Sequence, residues 1–315
     1  MSSKSAKLMA VAPLPMKDGV APSRVYLQPG PWATLYDFLV QRFQYTDPRV
    51  IEERLNRGEI VDEQGRRQAG DAPYQPRRWL WYYREVPPEA PVPFSVQVLH
   101  RDQRLLVIDK PHFLASIPGG RYLKETALTR LRHELALPQL SPLHRLDRET
   151  AGVMMLCIDP ASRGAYQQLF QDRQVTKEYE AVAPYSERLS FPVTRRSRLE
   201  TRGWHFTMDE VEGEPNSETR IELIASMGEL GWYRLHPHTG RKHQLRVHMA
   251  GLGIPILNDL FYPNLAPQPA YSDFSRPLQL LARRIQFKDP FTGEMRVFES
   301  KRQLDCVSSF NTFTV

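Results

Sequence analysis

Residues 144–158 read "HRLDRETAGVMMLCI", a polar stretch that runs directly into an apolar one. The apolar part, from Val153, is typical of a buried strand, so the polar part is predicted to be a loop at the edge of a packed sheet. In this loop Asp147 stands between Arg145 and Arg148. A carboxylate near a cation stays ionised with a lowered pKa, which predicts a fixed nucleophile or base. On these residues alone, a solvated cluster of surface ion pairs is the favoured alternative.

The composition is that of a soluble chain of 315 residues, 41% hydrophobic and 25% charged, long enough for one large core and a smaller module. A net charge of +6 favours a polyanionic partner, although a solubilising excess explains it equally well. Two cysteines, Cys157 and Cys306, indicate neither a disulfide framework nor a thiolate metal site and fit a reducing cytoplasm. No apolar run approaches a membrane span, and residues 1–24 are predicted to be a flexible tail.

The segment 25–86 carries the signals of a small α/β module. Residues 32–43 and 48–60 have apolar residues at helical spacing, and a hairpin is predicted to turn near Gly65. Two short helices, a turn and a basic strand resemble the S4-like RNA-binding module. Its candidate phosphate contacts include Arg57, Arg66 and Arg67. A small helical cap with a solvated basic face is the alternative.

The proline-rich residues 87–93, "PPEAPVP", are predicted to be a linker, and a second domain is predicted over 94–315. This domain mixes short strands with helices and lacks regular βαβ alternation, so its fold class is α+β. The segment 240–253 is predicted to contain a helix that begins after Thr239 and ends at Gly251.

Four histidines cluster in the sequence and raise the question of a metal site. No HExxH motif, cysteine partner or carboxylate at a recognised spacing accompanies them, so no metal is expected. They are His236, His238, His243 and His248.

Four ordered motifs resemble the RluA family of pseudouridine synthases. "HRLDRETAG" resembles the family's catalytic signature HRLDxxTSG, and "LLVIDKP" (105–111) resembles the strand that opens its catalytic domain. "KEYEA" (177–181) resembles the tyrosine motif, and "GRKHQLRVHMAGLGIPILND" (240–259) resembles the third motif. The resemblance spans residues 94–300 and is more specific than any single motif. It implies a mixed, mainly antiparallel sheet.

Three residues depart from the family pattern. Ala151 stands where the family has serine, Asn258 where it has the glycine before Asp259, and Leu281 where it has the histidine of "LHA". None is the presumed catalytic carboxylate, so the departures bear on packing and substrate choice more than on the reaction.

The resemblance implies isomerisation of uridine to pseudouridine in structured RNA, without a cofactor or metal. Asp147 would be the essential carboxylate, as nucleophile or base. Arg246 would be its ion-pair partner, and Tyr179 would lie against the uracil and serve proton transfer. A uridine in folded RNA must leave the stack, at a cost that phosphate contacts offset. The basic surface would hold the RNA, with contacts from His144, Arg145 and Arg148.

Two other functions remain open: a catalytically inactive RNA-binding protein of this fold, and a metal-dependent nuclease that uses the histidine cluster. Within the isomerase interpretation, the S4-like module favours large-subunit (23S) ribosomal RNA as the target, with transfer RNA as the alternative. A cytoplasmic monomer that contacts no membrane is expected.

Overall fold

The computed structural model describes residues 12–201, 206–305 and 307. The chain divides into two compact units, and the division falls between Pro88 and Glu89, inside the segment predicted to be a linker.

From residue 12 onward, the N-terminal unit contains a two-stranded antiparallel sheet and two short helices around a small apolar core. Its elements are β1 (Ser23–Tyr26), α1 (Leu35–Arg42), α2 (Pro48–Asn56) and β2 (Trp79–Tyr82).

The ends of both helices follow from their sequences. Thr34 caps α1 in a capping box with Asp37, and Asp47 caps α2, whose first residue is Pro48. Gly58 follows the end of α2 with a φ of +67°, a conformation that glycine adopts without strain.

The predicted tail ends earlier than residue 24. Residues 1–11 lie outside the described residues, but Ser23 already pairs with Tyr82 in the β1–β2 sheet. Further upstream, the hydroxyl of Tyr83 donates to the carbonyl of Pro15 at 2.6 Å. Pairing with a strand 60 residues away is a tertiary contact, which local composition did not reveal.

The second half of the proline-rich segment packs on the C-terminal unit. The carboxylate of Glu89 accepts hydrogen bonds from the backbone N–H groups of Leu123, Lys124 and Glu125 at 2.9–3.0 Å. Val92 is buried in the core of the same unit. These contacts fix the start of the C-terminal unit at residue 89, five residues earlier than predicted.

In the part of the chain that the structure describes, the C-terminal unit is built around a sheet of eleven strands, with helices packed beside it. Its first elements are β3 (Gln97–Arg101), β4 (Leu105–Lys110), α3 (Ala127–Glu134), β5 (Ser141–Pro142), β6 (Ala151–Cys157) and α4 (Arg163–Gln171). Next come β7 (Thr176–Pro184), β8 (Val193–Thr201), β9 (Met208–Val211), β10 (Ser217–Met227) and β11 (Leu230–Pro237). The chain continues with α5 (Gln244–Gly251), β12 (Leu280–Lys288) and β13 (Met295–Glu299).

The sheet is mixed and mainly antiparallel, which confirms the predicted α+β class. The strand order is β3-β4-β6-β12-β7-β11-β10-β8-β9, with β13 beside β12 and β5 beside β6. Among the described pairings, only β6 with β12 is parallel.

The central strands are buried on both faces of the sheet. In β4, Leu106 and Ile108 face the core that includes α3, whereas Leu105 and Val107 face the core that includes α4. The apolar run that follows "HRLDRET" is β6, and all seven of its residues are buried. The loop before β6 is therefore anchored by a strand at the centre of the molecule.

Helix α5 begins at Gln244, four residues later than the predicted start directly after Thr239. His243 has a φ of 54°, which is incompatible with a helix and ends the preceding irregular stretch. The side chain of Gln244 accepts hydrogen bonds from the Thr239 hydroxyl and from the Arg241 backbone, and these hold residues 239–243 as a loop.

The longest helices in the described ranges have nine residues, and none of them is long and apolar enough to cross a bilayer.

Candidate active site

The loop that carries Asp147 is held by its backbone. The hydroxyl of Ser116 donates to the Leu146 carbonyl at 2.6 Å and accepts from the Leu146 N–H at 3.1 Å. The ring of His112 bonds to the carbonyl of Glu149 at 2.7 Å. Two polar side chains of one segment thus fix the residues on both sides of Asp147, while the Asp147 carboxylate stays unengaged by them.

Lys110 lies fully buried under the same loop. Its ammonium group donates to the carbonyls of Pro111, Leu114 and Arg148, at 3.0, 2.7 and 3.3 Å. Burial lowers its pKa to about 7, against the opposing effect of the nearby carboxylates of Glu149 and Asp147. Lys110 therefore contributes both a positive charge behind Asp147 and a direct link to the residue that follows it.

Gly152 is required where the loop joins the sheet. Its φ is +114°, and a Cβ at this position would lie 2.2 Å from the carbonyl oxygen of Ala282 on β12. No other residue permits this close approach of β6 to β12.

Two donors from α5 and its N-cap flank the carboxylate of Asp147, which is 27% exposed. Arg246 Nη1 lies 3.6 Å from Oδ2, and His243 Nε2 lies 3.9 Å from Oδ1. The predicted lowering of the Asp147 pKa is wrong. Burial raises this pKa and outweighs the opposing effects of Arg246 and Lys110.

The flanking arginines of the loop are not the partners of Asp147. Arg145 is exposed, and Arg148 bonds to Glu149 at 3.3 Å and lies over the ring of Tyr122. The cation beside Asp147 is Arg246, which comes from a helix about a hundred residues further along the chain.

Arg246 is held by Asp259. Its Nε and Nη2 donate to the two Asp259 oxygens at 2.7 and 2.6 Å, a bidentate pair with both side chains buried. Burial alone would lower the pKa of Arg246, but the bonds from Asp259 raise it, so the guanidinium stays charged. Its Nη1 is buried without a hydrogen-bond partner in the described part of the chain, and it lies between Asp147 and Glu149.

Tyr179 lies on β7 and packs against two of the apolar cores of this unit. Burial and then the charge of Asp147 raise the pKa of its phenol, so the group is neutral at ordinary pH. The structure thus brings Asp147, Tyr179 and Arg246 together from a loop, a strand and a helix.

His243 was not singled out at this site by the sequence interpretation, which treated it only as one of four candidate metal ligands. Its Nδ1 bonds to the Tyr262 hydroxyl at 2.8 Å, and the same oxygen accepts the Met208 N–H at 2.8 Å. Burial, followed by the neighbouring Arg246, lowers the pKa of His243 to about 3, so its ring is neutral. The signal that could have revealed it is the "HQLR" stretch, which places a histidine three residues before Arg246 at the start of the helix.

The histidines have separate partners. His248 bonds to Ser217 and Thr219, His236 lies 3.8 Å from Glu222, and His243 faces Asp147. Among the described residues, no three His, Cys, Asp or Glu side chains are grouped so that they could hold a metal ion.

The structure gives no support to an RNA contact by His144. Its Nε2 accepts the Met155 N–H at 3.1 Å, and its ring stacks on Phe170 with centroids 4.9 Å apart. Burial lowers its pKa to about 3, so it carries no charge for a phosphate. The histidine instead ties the start of the loop to β6.

The three arginines predicted to bind RNA in the N-terminal unit are all exposed. Arg57 pairs with Glu59 at 2.9 Å, and Arg66 pairs with Asp62 at 2.8 Å. Arg67 lies over Gly58.

Two of the family departures face each other. Leu281 of β12 is the register partner of Ala151 of β6, and both lie in one apolar cluster with Val182. Two polar residues of the family pattern are thus replaced together by apolar ones, so neither position places a polar side chain in this apolar cluster. Asn258 has a φ of 64°, so it keeps the backbone conformation that glycine provides elsewhere.

Comparison with known proteins identifies the family of this chain. A family model described as RNA pseudouridylate synthase matches residues 104–251. The dual-specificity RNA pseudouridine synthase RluA of Haemophilus influenzae is 30% identical over 215 residues, which cover 65% of this chain and 93% of that protein. An uncharacterised RNA pseudouridine synthase of Synechocystis is 30% identical over 72% of this chain and 79% of its own length.

A solved structure supports the same assignment. Human RNA pseudouridylate synthase domain containing 4 is 28% identical and superposes with a TM-score of 0.53, over 68% of this chain and 92% of that one. The motifs, the fold and these relatives agree: the chain belongs to the RluA family of RNA pseudouridine synthases, isomerases that convert uridine to pseudouridine in RNA.

Proposed function

We propose that Asp147 is the carboxylate that starts the isomerisation, with Arg246 as its charge partner and Tyr179 beside the uracil. The observation that carries this proposal is the buried Nη1 of Arg246, which has no hydrogen-bond partner among the described residues and lies 3.6 Å from Asp147. An unpaired buried donor is costly, so its retention beside a carboxylate indicates a role in the reaction.

The reaction breaks the C1′–N1 bond, rotates the uracil and joins C1′ to C5. The C5 proton is lost and N1 gains a proton, so the product is an isomer of the substrate. Asp147 acts as the nucleophile or as the base that triggers bond cleavage, and both roles need the ionised form. Arg246 and Lys110 favour that form against the effect of burial.

Tyr179 enters the reaction as a neutral phenol. Its raised pKa makes it a hydrogen-bond and proton donor to the uracil rather than a ready base. Its half-buried ring on β7 also gives the extruded base an apolar surface to lie against.

RNA is held beside Asp147 by the loop that carries it. Arg145 is exposed for a phosphate contact. Arg148 is paired with Glu149, so it must leave that carboxylate before it can contact a phosphate. Extruding a uridine costs a few kcal/mol, which such contacts offset. Because one chain supplies Asp147, Tyr179 and Arg246, we propose that it acts as a cytoplasmic monomer.

We further propose that residues 25–86 form an S4-like RNA-binding module, with Arg57, Arg66 and Arg67 near phosphates, and that the target is large-subunit ribosomal RNA. About a third of this chain lies outside its match to the H. influenzae RluA. The N-terminal unit would add an RNA-binding surface to the one around Asp147, and a larger surface favours a larger structured RNA. Transfer RNA is the second candidate.

Pseudouridine mapping of total RNA tests the proposal. Cells that lack the gene are complemented with the wild-type chain, with Asp147→Asn, or with the triple variant Arg57→Gln/Arg66→Gln/Arg67→Gln. We expect a few uridines of large-subunit ribosomal RNA to lose the modification and only the wild type to restore it fully. The triple variant should modify the same sites more slowly, and its rate should fall less steeply with salt.

Other outcomes have distinct meanings. Loss of modification confined to transfer RNA would replace the target but keep the reaction. Restoration by Asp147→Asn would overturn the role of that residue. If purified wild-type protein modified no uridine in the unmodified RNA, the inactive RNA-binding alternative would be favoured.

A further inference from the structure

We propose that His243 is a positioning residue for Asp147: its Nε2–H holds one carboxylate oxygen while Arg246 holds the other. The inference rests on the proposed role of Asp147 and adds a second donor, at the carboxylate oxygen that Arg246 does not face.

The hydrogen bonds of Tyr262 define which nitrogen of His243 carries the proton. The Tyr262 oxygen accepts the Met208 N–H, so the phenolic proton is free to be donated, and the neighbouring acceptor is His243 Nδ1 at 2.8 Å. We assign the phenolic proton to this bond, so that Nδ1 is unprotonated and the proton of the neutral ring lies on Nε2, the nitrogen that faces Asp147.

The backbone aims this proton. His243 is the N-cap of α5, with the left-handed φ and ψ of 54° and 14°, so the ring turns back from the helix axis toward the loop. The ring is 8% exposed and stacks on Phe261, with centroids 5.8 Å apart. The left-handed backbone of His243, the stacking of its ring on Phe261 and its hydrogen bond with Tyr262 together direct the Nε2–H toward Asp147.

The two donors act on different atoms of Asp147. His243 Nε2 lies 3.9 Å from Oδ1, and Arg246 Nη1 lies 3.6 Å from Oδ2. Neither distance is that of a hydrogen bond, and contacts of this kind commonly tighten when the substrate binds. Two donors at two oxygens fix the plane of the carboxylate, which one donor cannot do.

The neighbouring charges favour a neutral donor over a cation at this position. Arg246 and Lys242 disfavour a charged His243, whereas Glu149 and Asp259 oppose them more weakly. A neutral N–H orients Asp147 and stabilises its ionised form without pairing it as tightly as a second cation would, so the carboxylate keeps its reactivity.

Two substitutions separate this role from a structural one. In His243→Asn, the side-chain oxygen replaces Nδ1 and still accepts from Tyr262, but no donor reaches Asp147. Asparagine also tolerates the left-handed backbone. In His243→Gln, the longer amide places an N–H near the former Nε2 but loses the bond to Tyr262. His236→Asn is the matched control, because it makes the same substitution outside the site.

The assay is tritium release from RNA that carries [5-³H]uridine, isolated from cells that lack the gene, together with a melting curve for each variant. We expect kcat to fall about 100-fold in His243→Asn, with KM and melting temperature little changed. The acidic limb of its pH profile should move to higher pH, because Asp147 loses a donor to its ionised form. His243→Gln should regain at least about tenfold of that loss despite lower thermal stability.

Wild-type kcat in folded His243→Asn would overturn the inference, as would equal loss of kcat in the Asn and Gln variants. If His243→Asn does not fold, Tyr262→Phe takes its place in the test. This variant removes the hydroxyl that bonds to Nδ1, so the proton of the His243 ring is no longer held on Nε2. Unchanged kcat in Tyr262→Phe would likewise overturn the inference. Lack of tritium release by the wild-type protein would instead contradict the proposed function.

Discussion

Arg246 donates two guanidinium N–H groups to the two carboxylate oxygens of Asp259, at 2.7 and 2.6 Å. This bidentate bond fixes the plane of the guanidinium, and so the direction of the Nη1 that faces Asp147. Asp259 thus positions Arg246, one of the proposed catalytic groups, through this bidentate bond.

We expect Asp259→Asn to lower kcat by about 100-fold, because a guanidinium held at one point misplaces Nη1. The free energy of unfolding should also fall, by about 3 kcal/mol, since a buried ion pair is broken. Glu180→Gln is the control: it weakens the equally bidentate Glu180–Arg283 pair, at 2.8 and 2.9 Å, but leaves Asp147 and its two donors intact. Equal kcat losses in the two variants would show that Arg246 needs no clamp.

Asp147→Asn should abolish turnover, by more than about 10³-fold, and yet stabilise the protein at neutral pH. Burial raises the pKa of Asp147 in the folded chain above its unfolded value, so the folded state binds this proton more tightly. The contribution of Asp147 to the free energy of unfolding therefore falls as pH rises through the raised pKa.

Urea unfolding of Asp147→Asn and wild type at pH 7.5, and at a pH below the ordinary Asp range, measures this effect. The variant should be the more stable protein at pH 7.5, and the difference should vanish at low pH. A less stable variant at pH 7.5 would mean that Arg246 outweighs burial.

Lys110→Met should lower the free energy of unfolding by about 3 kcal/mol, because three buried carbonyls lose their donor. It should also reduce kcat, since the carbonyl of Arg148 is one of the three and lies next to Asp147. Lys288→Met, at an exposed position of β12, should stay within about 0.5 kcal/mol of wild type. Denaturant unfolding and tritium release measure both effects, and a kcat loss without destabilisation would point instead to the charge of Lys110.

Leu281→His should destabilise the protein by about 3 kcal/mol, because it buries a polar ring in the apolar cluster around Val182. Adding Ala151→Ser at the facing position should return part of that loss, with a coupling energy of about 1 kcal/mol. A double-mutant cycle of unfolding free energies measures the coupling. Strict additivity would show that the two departures from the family pattern are unrelated.

Helix starts, turns and buried strands could be predicted from the local sequence, because the residues that determine each of them lie within one short segment. Thr34 and Thr126 directly precede helical sequence patterns, and their side chains cap α1 and α3. Gly65 was predicted to lie at a hairpin turn, and its φ of 76° is the conformation that such a turn requires. The buried strands β4 and β6 follow directly from their apolar runs, since burial on both faces needs no alternation.

The start of α5 and the direction of the pKa shift of Asp147 could not be predicted from the local sequence. The left-handed conformation of His243, in the middle of a helical sequence pattern, is set by its bond to Tyr262, 19 residues further along the chain, together with the local bond of Gln244 to Thr239. The pKa of Asp147 depends on how deeply its loop is buried, and burial is a property of the whole fold.

The sequence by itself determined the family and the α+β class, and through the family resemblance it predicted Asp147, Tyr179 and Arg246 as site residues, because four motifs in order carry that information locally. Only the tertiary structure decided that Asp259 clamps Arg246 and that His243 offers a second donor to Asp147. These relationships join a loop at 147, a helix at 246 and residues 259 and 262. Contacts between segments so far apart in the chain arise from the packing of the sheet and its helices, and no local pattern encodes them.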